Sequence, residues 1–136
     1  MAKNEIIDGE GIIPEGTTKI EPKAFSGCTG LKSIVIPDSV TMIGDGAFEY
    51  CTGLTSIVIP DSVTEIGNYA FWGCTGLKSI VIGNSVTEIG NWGFDRCTGL
   101  KTINVPAKKA DYYKKRLPEE LHSLIVELPA EKNAKK

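Results

Sequence analysis

A strict 23-residue period is the feature that most constrains what this chain can fold into. Four cysteines, four phenylalanines and four leucines each recur at that spacing along the sequence. The three sets are Cys28, Cys51, Cys74 and Cys97; Phe25, Phe48, Phe71 and Phe94; and Leu31, Leu54, Leu77 and Leu100. A fixed period of this length is typical of a solenoid, in which each repeat packs only on its neighbours. The sequence therefore predicts a repeat solenoid.

The end of each repeat predicts a β-strand. In the unit 60–82, PDSVTEIGNYAFWGCTGLKSIVI, the apolar residues Ile80 and Ile82 lie on one face, with Val81 between them on the other. Alternation with a period of two is expected of a strand that buries one face. Pro60 ends the preceding strand, because proline cannot donate a hydrogen bond to a sheet.

The first half of the unit predicts a second extended piece and a turn. Val63 and Ile66 are the apolar positions of this piece, which ends at Gly67. Asn68 is placed to cap a single turn of helix over residues 69–73, because a side-chain oxygen at that position can accept the first free N–H groups.

Stacking of the repeats would superimpose their apolar side chains. Parallel strands lie about 4.8 Å apart, so each inward side chain would have an equivalent directly above and below it. Besides the leucines and phenylalanines, the predicted inward ladders are Ile34, Ile57, Ile80 and Ile103; Ile36, Ile59, Ile82 and Val105; and Ile20, Ile43, Ile66 and Ile89.

The segments that flank the repeats predict caps. Residues 4–7 and 11–13 are expected to form a hairpin around Asp8-Gly9. Residues 107–117 predict a helix that stops before Pro118, and residues 123–128 predict a final strand. We therefore expect one domain over 1–128, with an N-terminal cap (1–13), four repeats (14–105) and a C-terminal cap (106–128), followed by a disordered tail (129–136).

The repeat resembles the BspA-type, or Treponema-type, leucine-rich repeat. The shared features are the Ile-Pro strand end, the pattern V-x-x-I-G-x-x-A-F and the lead C-x-x-L into the next strand, and they cover residues 13–106. The resemblance implies a right-handed β/α-type superhelix with a parallel sheet on one face and short β and helical turns on the other. It also implies a binding or adhesion module, as in bacterial and protozoan surface proteins of this family.

Composition argues against several partners. The net charge of −2 creates no overall field that would attract nucleic acid or an acidic membrane, and no apolar run reaches the length of about 18 residues that a membrane span needs. The first five residues lack the features of a signal peptide, and four cysteines without an evident pairing suit a reducing compartment. We expect a cytoplasmic protein, the alternative being a secreted or cell-surface domain without its signal peptide.

Side chains with potential chemistry have simpler structural explanations. One cysteine per repeat spreads the thiols along a line of about 15 Å, whereas zinc requires ligands that converge. Asp38 and Asp61 share a turn position, which offers too few oxygens for calcium. His122 is the only histidine, and no nucleophile and third group accompany it. The sequence predicts no metal, no cofactor and no enzyme activity.

The predicted C-terminal helix carries five basic residues with two tyrosines among them, a combination that could mimic a nucleic-acid site. Tyr112, Tyr113 and Leu117 are more simply explained as the side of the helix that faces the stack, with the lysines in water. We expect no nucleic-acid partner.

Two surfaces remain as candidate binding sites. The first is the exposed face of the main sheet, which the resemblance implies is the usual recognition surface. Its columns are nearly uniform, and ordinary for a strand exposed to water. The columns are Ser33, Ser56, Ser79 and Thr102, beside Val35, Val58, Val81 and Asn104, and the candidates are Ser56, Val58, Ser79 and Val81.

The second surface contains large aromatic residues that the repeat does not require. Tyr69 and Trp72 are three residues apart in one turn, and Trp92 lies one repeat from Tyr69 in the same column. Tyr50 replaces the glycine found at position 73. Exposed aromatic side chains favour a contact with a protein or a glycan, although local packing or self-association would also explain them.

The sequence thus predicts a non-enzymatic binding module for a protein or a glycan, as a monomer or weak homodimer. The alternative is a structural or self-associating repeat protein with no separate ligand.

Overall fold

The computed structural model describes residues 4–130, which form a solenoid of short strands, as predicted. We call the four units 14–36, 37–59, 60–82 and 83–105 rungs one to four. The strands are β1 (Glu5–Ile7), β2 (Glu10–Ile12), β3 (Lys19–Ile20), β4 (Ser33–Ile34), β5 (Met42–Ile43), β6 (Ser56–Ile59), β7 (Glu65–Ile66), β8 (Ser79–Ile82), β9 (Glu88–Ile89), β10 (Thr102–Val105) and β11 (Ile125–Glu127).

Two sides of the solenoid are parallel β-structure. On the front, β2 pairs with β4, and β6, β8, β10 and β11 form a four-stranded sheet. On the second side, β3, β5, β7 and β9 pair in sequence order. The register places Ile57 opposite Ile80 and Ile43 opposite Ile66. Equivalent residues therefore superimpose, and the periodic isoleucines fill one continuous core.

The third side is a ladder of turns, which we call the turn ladder. Alternate N–H groups donate to carbonyl groups of the following rung: Phe25 to Ala47 at 2.7 Å, Phe48 to Ala70 at 2.8 Å and Phe71 to Gly93 at 2.8 Å. Each rung is thus hydrogen-bonded to the next on the second side and in the turn ladder, and rungs two to four are also paired on the front.

The predicted helical turn over residues 69–73 is wrong. Tyr69 and Gly73 have φ values of 59° and 75°, which a right-handed helix does not contain. The Asn68 side chain does not cap this segment; its Oδ1 accepts the N–H of Asn91, one rung further on, at 2.8 Å. The amides that a helix would pair within itself are satisfied between rungs instead.

Four phenylalanines form the centre of the core. Their rings stack at centroid distances of 5.4, 5.3 and 5.4 Å, with interplanar angles of 2°, 6° and 4°. The predicted leucine and isoleucine ladders are buried around them, except for Ile89, which is only partly buried.

A hairpin covers the first rung, at the predicted position. Strands β1 and β2 pair antiparallel around Asp8 and Gly9, whose φ values of 52° and 84° suit a two-residue turn. Strand β2 then pairs in parallel with β4 and occupies the edge of the front sheet.

The C-terminal cap differs from the prediction in its helix. Helix α1 spans only Ala110–Lys114, because Lys108 has a φ of 68° and the chain turns before the helix begins. Its side toward the stack carries Tyr113, whose hydroxyl donates to the carbonyl of Gly83, and Tyr112, whose hydroxyl donates to Val86 at 2.8 Å.

The rest of the cap is a 3-10 helix, Glu119–Leu124, that the sequence did not predict, followed by β11, which is shorter than the predicted strand. Strand β11 pairs in parallel with β10 and covers the last edge of the front sheet. Within the described residues, no helix has the length and apolar character needed to cross a membrane. Most of the predicted tail, residues 131–136, lies outside the described residues.

We predict that Phe71→Ala lowers the free energy of unfolding by about 3–5 kcal/mol, because Phe71 is fully buried between two stacked rings. Urea denaturation measures this loss. The exposed Val58 is the control, since Val58→Ala should change stability by less than about 0.5 kcal/mol. Equal midpoint shifts for the two variants would contradict the stacked core.

Candidate functional site

Two columns of the turn ladder hold residues in the left-handed conformation. The first column is Lys23, Gly46, Tyr69 and Trp92, with φ values of 60°, 63°, 59° and 63°. The second is Gly27, Tyr50, Gly73 and Arg96, with φ values of 73°, 60°, 75° and 62°. This conformation costs a residue other than glycine about 1 kcal/mol or more. Glycine is therefore the residue that the frame prefers at these positions.

Three candidate aromatic residues occupy these strained positions and are exposed. Tyr50, Tyr69 and Trp92 keep 45%, 44% and 57% of their surface in contact with water. Neither the backbone conformation nor burial in the core explains an aromatic side chain there. A strained residue that the fold does not require is a reason to look for a function.

Tyr50, Tyr69 and Trp72 are brought together, and we call these three residues the aromatic cluster. The Trp72 ring lies between the two tyrosines, with edge-to-face contacts at 4.9 Å to Tyr50 and 6.1 Å to Tyr69. Its indole N–H donates to Oδ2 of Asp95 at 3.0 Å, and the guanidinium of Arg96 lies 5.6 Å from its ring centroid. These contacts fix the half-buried tryptophan in place.

The position of Tyr50 depends on the glycine one rung further on. A Cβ atom at Gly73 would lie 2.9 Å from Cδ1 of Tyr50, and the φ of 75° at this position also favours glycine. The tyrosine ring can lie across the next rung because that rung has no side chain there.

Trp92 does not belong to the aromatic cluster. It lies in the same column as Tyr69, as predicted, but within residues 4–130 its ring pairs with no other aromatic ring. It instead lines a cleft of about 730 Å³ between rung four and the C-terminal cap, together with Arg96, Arg116 and Leu121.

The second predicted surface, the front sheet, is formed as expected from its columns. Ser56 pairs in register with Ser79, and Val58 pairs with Val81. Ser56 and Val58 on β6 are exposed, whereas Ser79 and Val81 on β8 are half-buried between neighbouring strands. This face is smooth and presents small side chains, which offer a partner few points of recognition.

The cysteines form a ladder of thiols rather than a cluster. Cys51 and Cys74 are fully buried, and the thiols of Cys51, Cys74 and Cys97 each donate to the carbonyl of a phenylalanine in the preceding rung at 3.0–3.1 Å. Burial, with a smaller contribution from Cys28, raises the pKa of Cys51 to about 12. No group of three His, Cys, Asp or Glu side chains within residues 4–130 could hold a metal ion.

The side chains of the C-terminal cap have structural roles. His122 Nε2 lies 3.0 Å from the carbonyl of Leu117. The guanidinium of Arg116 lies 3.6 Å from the ring centroid of Tyr112, and the ammonium of Lys109 lies 4.1 Å from it. Both cations thus pack on a side chain of the cap itself. Tyr112 and Tyr113 face the stack, as predicted.

Asp95 and Arg96 were missed by sequence reasoning. Both contact Trp72, although they are 23 and 24 residues away in the chain. The sequence does contain a signal for Arg96. Its column, Gly27, Tyr50, Gly73 and Arg96, alternates between glycine and a large side chain.

Comparison with known proteins identifies the family. The model of the BspA-type leucine-rich repeat region matches residues 10–116 in six copies, more than the four units counted in the sequence. This chain belongs to the BspA-type leucine-rich repeat family, which confirms the predicted resemblance and fold class.

Two solved structures show the same fold. A leucine-rich repeat protein from Bacteroides ovatus is 34% identical, with a TM-score of 0.69, over 83% of this chain and 29% of that protein. A leucine-rich cell surface protein from Faecalibacterium prausnitzii is 27% identical, with a TM-score of 0.70, over 82% of this chain and 36% of that protein. The chain thus spans about a third of the length of either structure. No curated protein matches it.

We predict that Tyr69→Gly is about as stable as the wild type, whereas Tyr69→Ala is less stable by about 1 kcal/mol. Both variants lose the edge contact with Trp72, which is worth about 1 kcal/mol, but only glycine relieves the left-handed backbone. Urea denaturation of the two variants distinguishes the energy of the ring contact from the cost of the left-handed backbone. A loss of more than about 2 kcal/mol in both would mean that the tyrosine serves the fold.

We also predict that the difference in stability between the wild type and Cys51→Ala shrinks by about 1 kcal/mol from pH 8.5 to 9.5. In the unfolded chain the thiol ionises near pH 8.5, whereas burial raises the pKa of Cys51 to about 12 in the folded protein. The contribution of the thiol is therefore complete below about pH 8.5 and is lost as the pH rises toward 12. Val63→Ala, a buried change without a titrating group, should show a constant difference.

Proposed function

We propose that this chain is a non-enzymatic binding module that recognises a protein partner through the aromatic cluster of Tyr50, Tyr69 and Trp72. The observation that carries the proposal is the placement of two exposed tyrosines at left-handed positions where other rungs have glycine. The contact of each tyrosine with Trp72 only offsets the cost of its left-handed backbone, so the fold gains little from these rings and their value lies in what they contact outside it.

The composition of the cluster suits a protein interface. Tyrosine, tryptophan and arginine are the residues that most often dominate binding energy in such interfaces. Here Trp72 is held by Asp95 and by both tyrosines before any partner arrives. Fixing these side chains in advance reduces the entropy that binding has to overcome.

A protein partner fits this arrangement better than a glycan. Stacking of a sugar ring requires an open aromatic face, whereas Arg96 lies over the Trp72 ring and the two tyrosines approach it edge to face. What remains accessible are the tyrosine rings and a guanidinium, which suit the mixed apolar and polar surface of a protein.

The family supports an interaction role in general terms. One solved relative is a cell surface protein, and repeat proteins of this kind use extended surfaces of the solenoid for binding. Because this chain spans only about a third of that relative, the identity of the partner is part of the proposal and not of the family assignment.

A random-peptide phage library panned on the wild type alone, with the selected peptides then titrated against the wild type and a Tyr50→Ala/Tyr69→Ala/Trp72→Ala variant, tests the proposal. We expect selected peptides to bind the wild type at least tenfold more tightly than the variant, because truncated hot-spot residues each cost about 1 kcal/mol or more. A Ser56→Ala/Val58→Ala/Ser79→Ala variant on the front sheet is the matched control. Equal binding to wild type and aromatic variant, with loss on the control, would move the site to the front sheet.

Light scattering after size exclusion decides between a separate partner and self-association. A monomeric wild type leaves the aromatic cluster free for another protein. A dimer that the aromatic triple substitution converts into a folded monomer would overturn the proposal and identify the cluster as an assembly surface.

A further inference from the structure

The C-terminal cap covers two of the three sides of rung four. Strand β11 pairs with β10 on the front. On the second side, the Tyr112 hydroxyl donates to the carbonyl of Val86 and Nε of Arg116 donates to that of Thr87 at 3.2 Å. These contacts tie the cap to the front and second sides of rung four.

The turn ladder is left open at this end. In rung three, the N–H groups of Tyr69, Phe71 and Gly73 donate to carbonyl groups of rung four at 2.8–2.9 Å. The equivalent N–H groups of rung four belong to Trp92, Phe94 and Arg96. Among residues 4–130 no acceptor pairs with any of these three groups. They form a row of donors on alternate residues.

These donors lie in the cleft of about 730 Å³ that Trp92 lines. Two of its lining residues, Ile89 and Cys97, are partly exposed, although their equivalents in rungs two and three are buried. The core of the last rung is thus incompletely covered at this place, as the core of the first rung is at Cys28. Leu121 of the 3-10 helix forms the opposite apolar wall.

The charges of the cleft favour a ligand with acceptor groups. Arg96 and Arg116 line it, and within residues 4–130 neither forms a salt bridge. Of its two acidic residues, Asp95 already accepts the indole N–H of Trp72, and Glu120 is exposed. Arg116 is already held by carbonyl groups and by the Tyr112 ring, so Arg96 and the row of N–H donors are the groups left to meet the carbonyl groups of a peptide.

We propose that this cleft binds an extended peptide segment of a protein partner, which adds to the turn ladder as a further rung. Its carbonyl groups on alternate residues would accept the N–H groups of Trp92, Phe94 and Arg96. Main-chain pairing of this kind supplies affinity when a peptide extends an open edge, and side-chain pockets supply specificity. The cleft adjoins the aromatic cluster through Arg96, which lies over Trp72, but this proposal does not depend on the function proposed for the cluster.

The segment should carry an apolar residue. Its side chain would pack on the partly exposed Ile89, Cys97 and Leu121. A second copy of the whole solenoid does not fit, because β11 and α1 already occupy the front and second sides of rung four.

The chain itself provides the probe. Residues 43–50, IGDGAFEY, belong to rung two, where the carbonyl groups of Asp45, Ala47 and Glu49 accept N–H groups from rung one at 2.7–2.9 Å. The same register on rung four would place these three carbonyl groups at the N–H groups of Trp92, Phe94 and Arg96. A synthetic peptide of this sequence, and a scrambled version, can be titrated into the ¹⁵N-labelled protein.

Amide hydrogen exchange is the measurement. In the free protein we expect the amides of Trp92, Phe94 and Arg96 to exchange at least tenfold faster than those of Tyr69, Phe71 and Gly73. Saturating peptide should slow the first three at least tenfold, and the scrambled peptide should not. Slow exchange of these amides in the free protein, or no protection by the peptide, overturns the proposal. Equal shifts with sodium acetate would show an anion site only and overturn it too.

Variants test the side-chain part of the site. Trp92→Ala/Leu121→Ala should weaken the peptide about tenfold, and so should Arg96→Ala, which leaves the apolar walls intact. Val126→Ala, on the exposed face of β11, is the control and should bind the peptide like the wild type. Peptide binding that none of these substitutions changes would place the peptide elsewhere and contradict the assignment.

Discussion

Hydrogen bonding between rungs at a fixed register of 23 residues is the constraint on which the rest of this structure depends. Each rung is too short to bury its own apolar row, and its backbone groups are satisfied mainly by the rungs next to it. Because the register is constant, side chains at equivalent positions of neighbouring rungs lie on top of each other. The phenylalanine rings therefore stack with centroid distances of 5.3–5.4 Å. The three ladders and the core are therefore one cooperative unit, and a change in any rung acts on its two neighbours.

The same constraint distinguishes positions that the fold requires from positions that are free to serve a function. The turn ladder requires two left-handed residues in each rung, and glycine meets that requirement without strain. Where a rung carries tyrosine, tryptophan or arginine at one of these positions, its left-handed backbone costs some stability. The side chain is then exposed at a fixed position along the solenoid. Tyr50 and Tyr69 meet around Trp72 because the Tyr50 ring lies across Gly73 of the next rung, whereas Tyr69 contacts Trp72 within its own turn.

A solenoid built this way also has a direction. In the turn ladder the N–H groups of alternate residues point toward the C-terminal end, so the last rung ends in donors. The cap covers the two β-ladders and leaves these donors in a cleft between Trp92 and Leu121. Both proposed binding regions follow from the one side of the solenoid that is made of turns, where sequence variation does not disturb a sheet.

The sequence by itself determined the period, the inward ladders, the two caps and the family, because a repeated pattern of apolar residues admits only one way to stack. It also identified Tyr50, Tyr69, Trp72 and Trp92 as residues that the repeat does not need. Only the tertiary structure showed that residues 69–73 are not helical, that Trp92 is separate from the other three aromatic residues, and that Asp95 and Arg96 contact Trp72. The physical reason is that these features depend on bonds between rungs, whose partners are 23 or more residues away and leave no local signal in the chain.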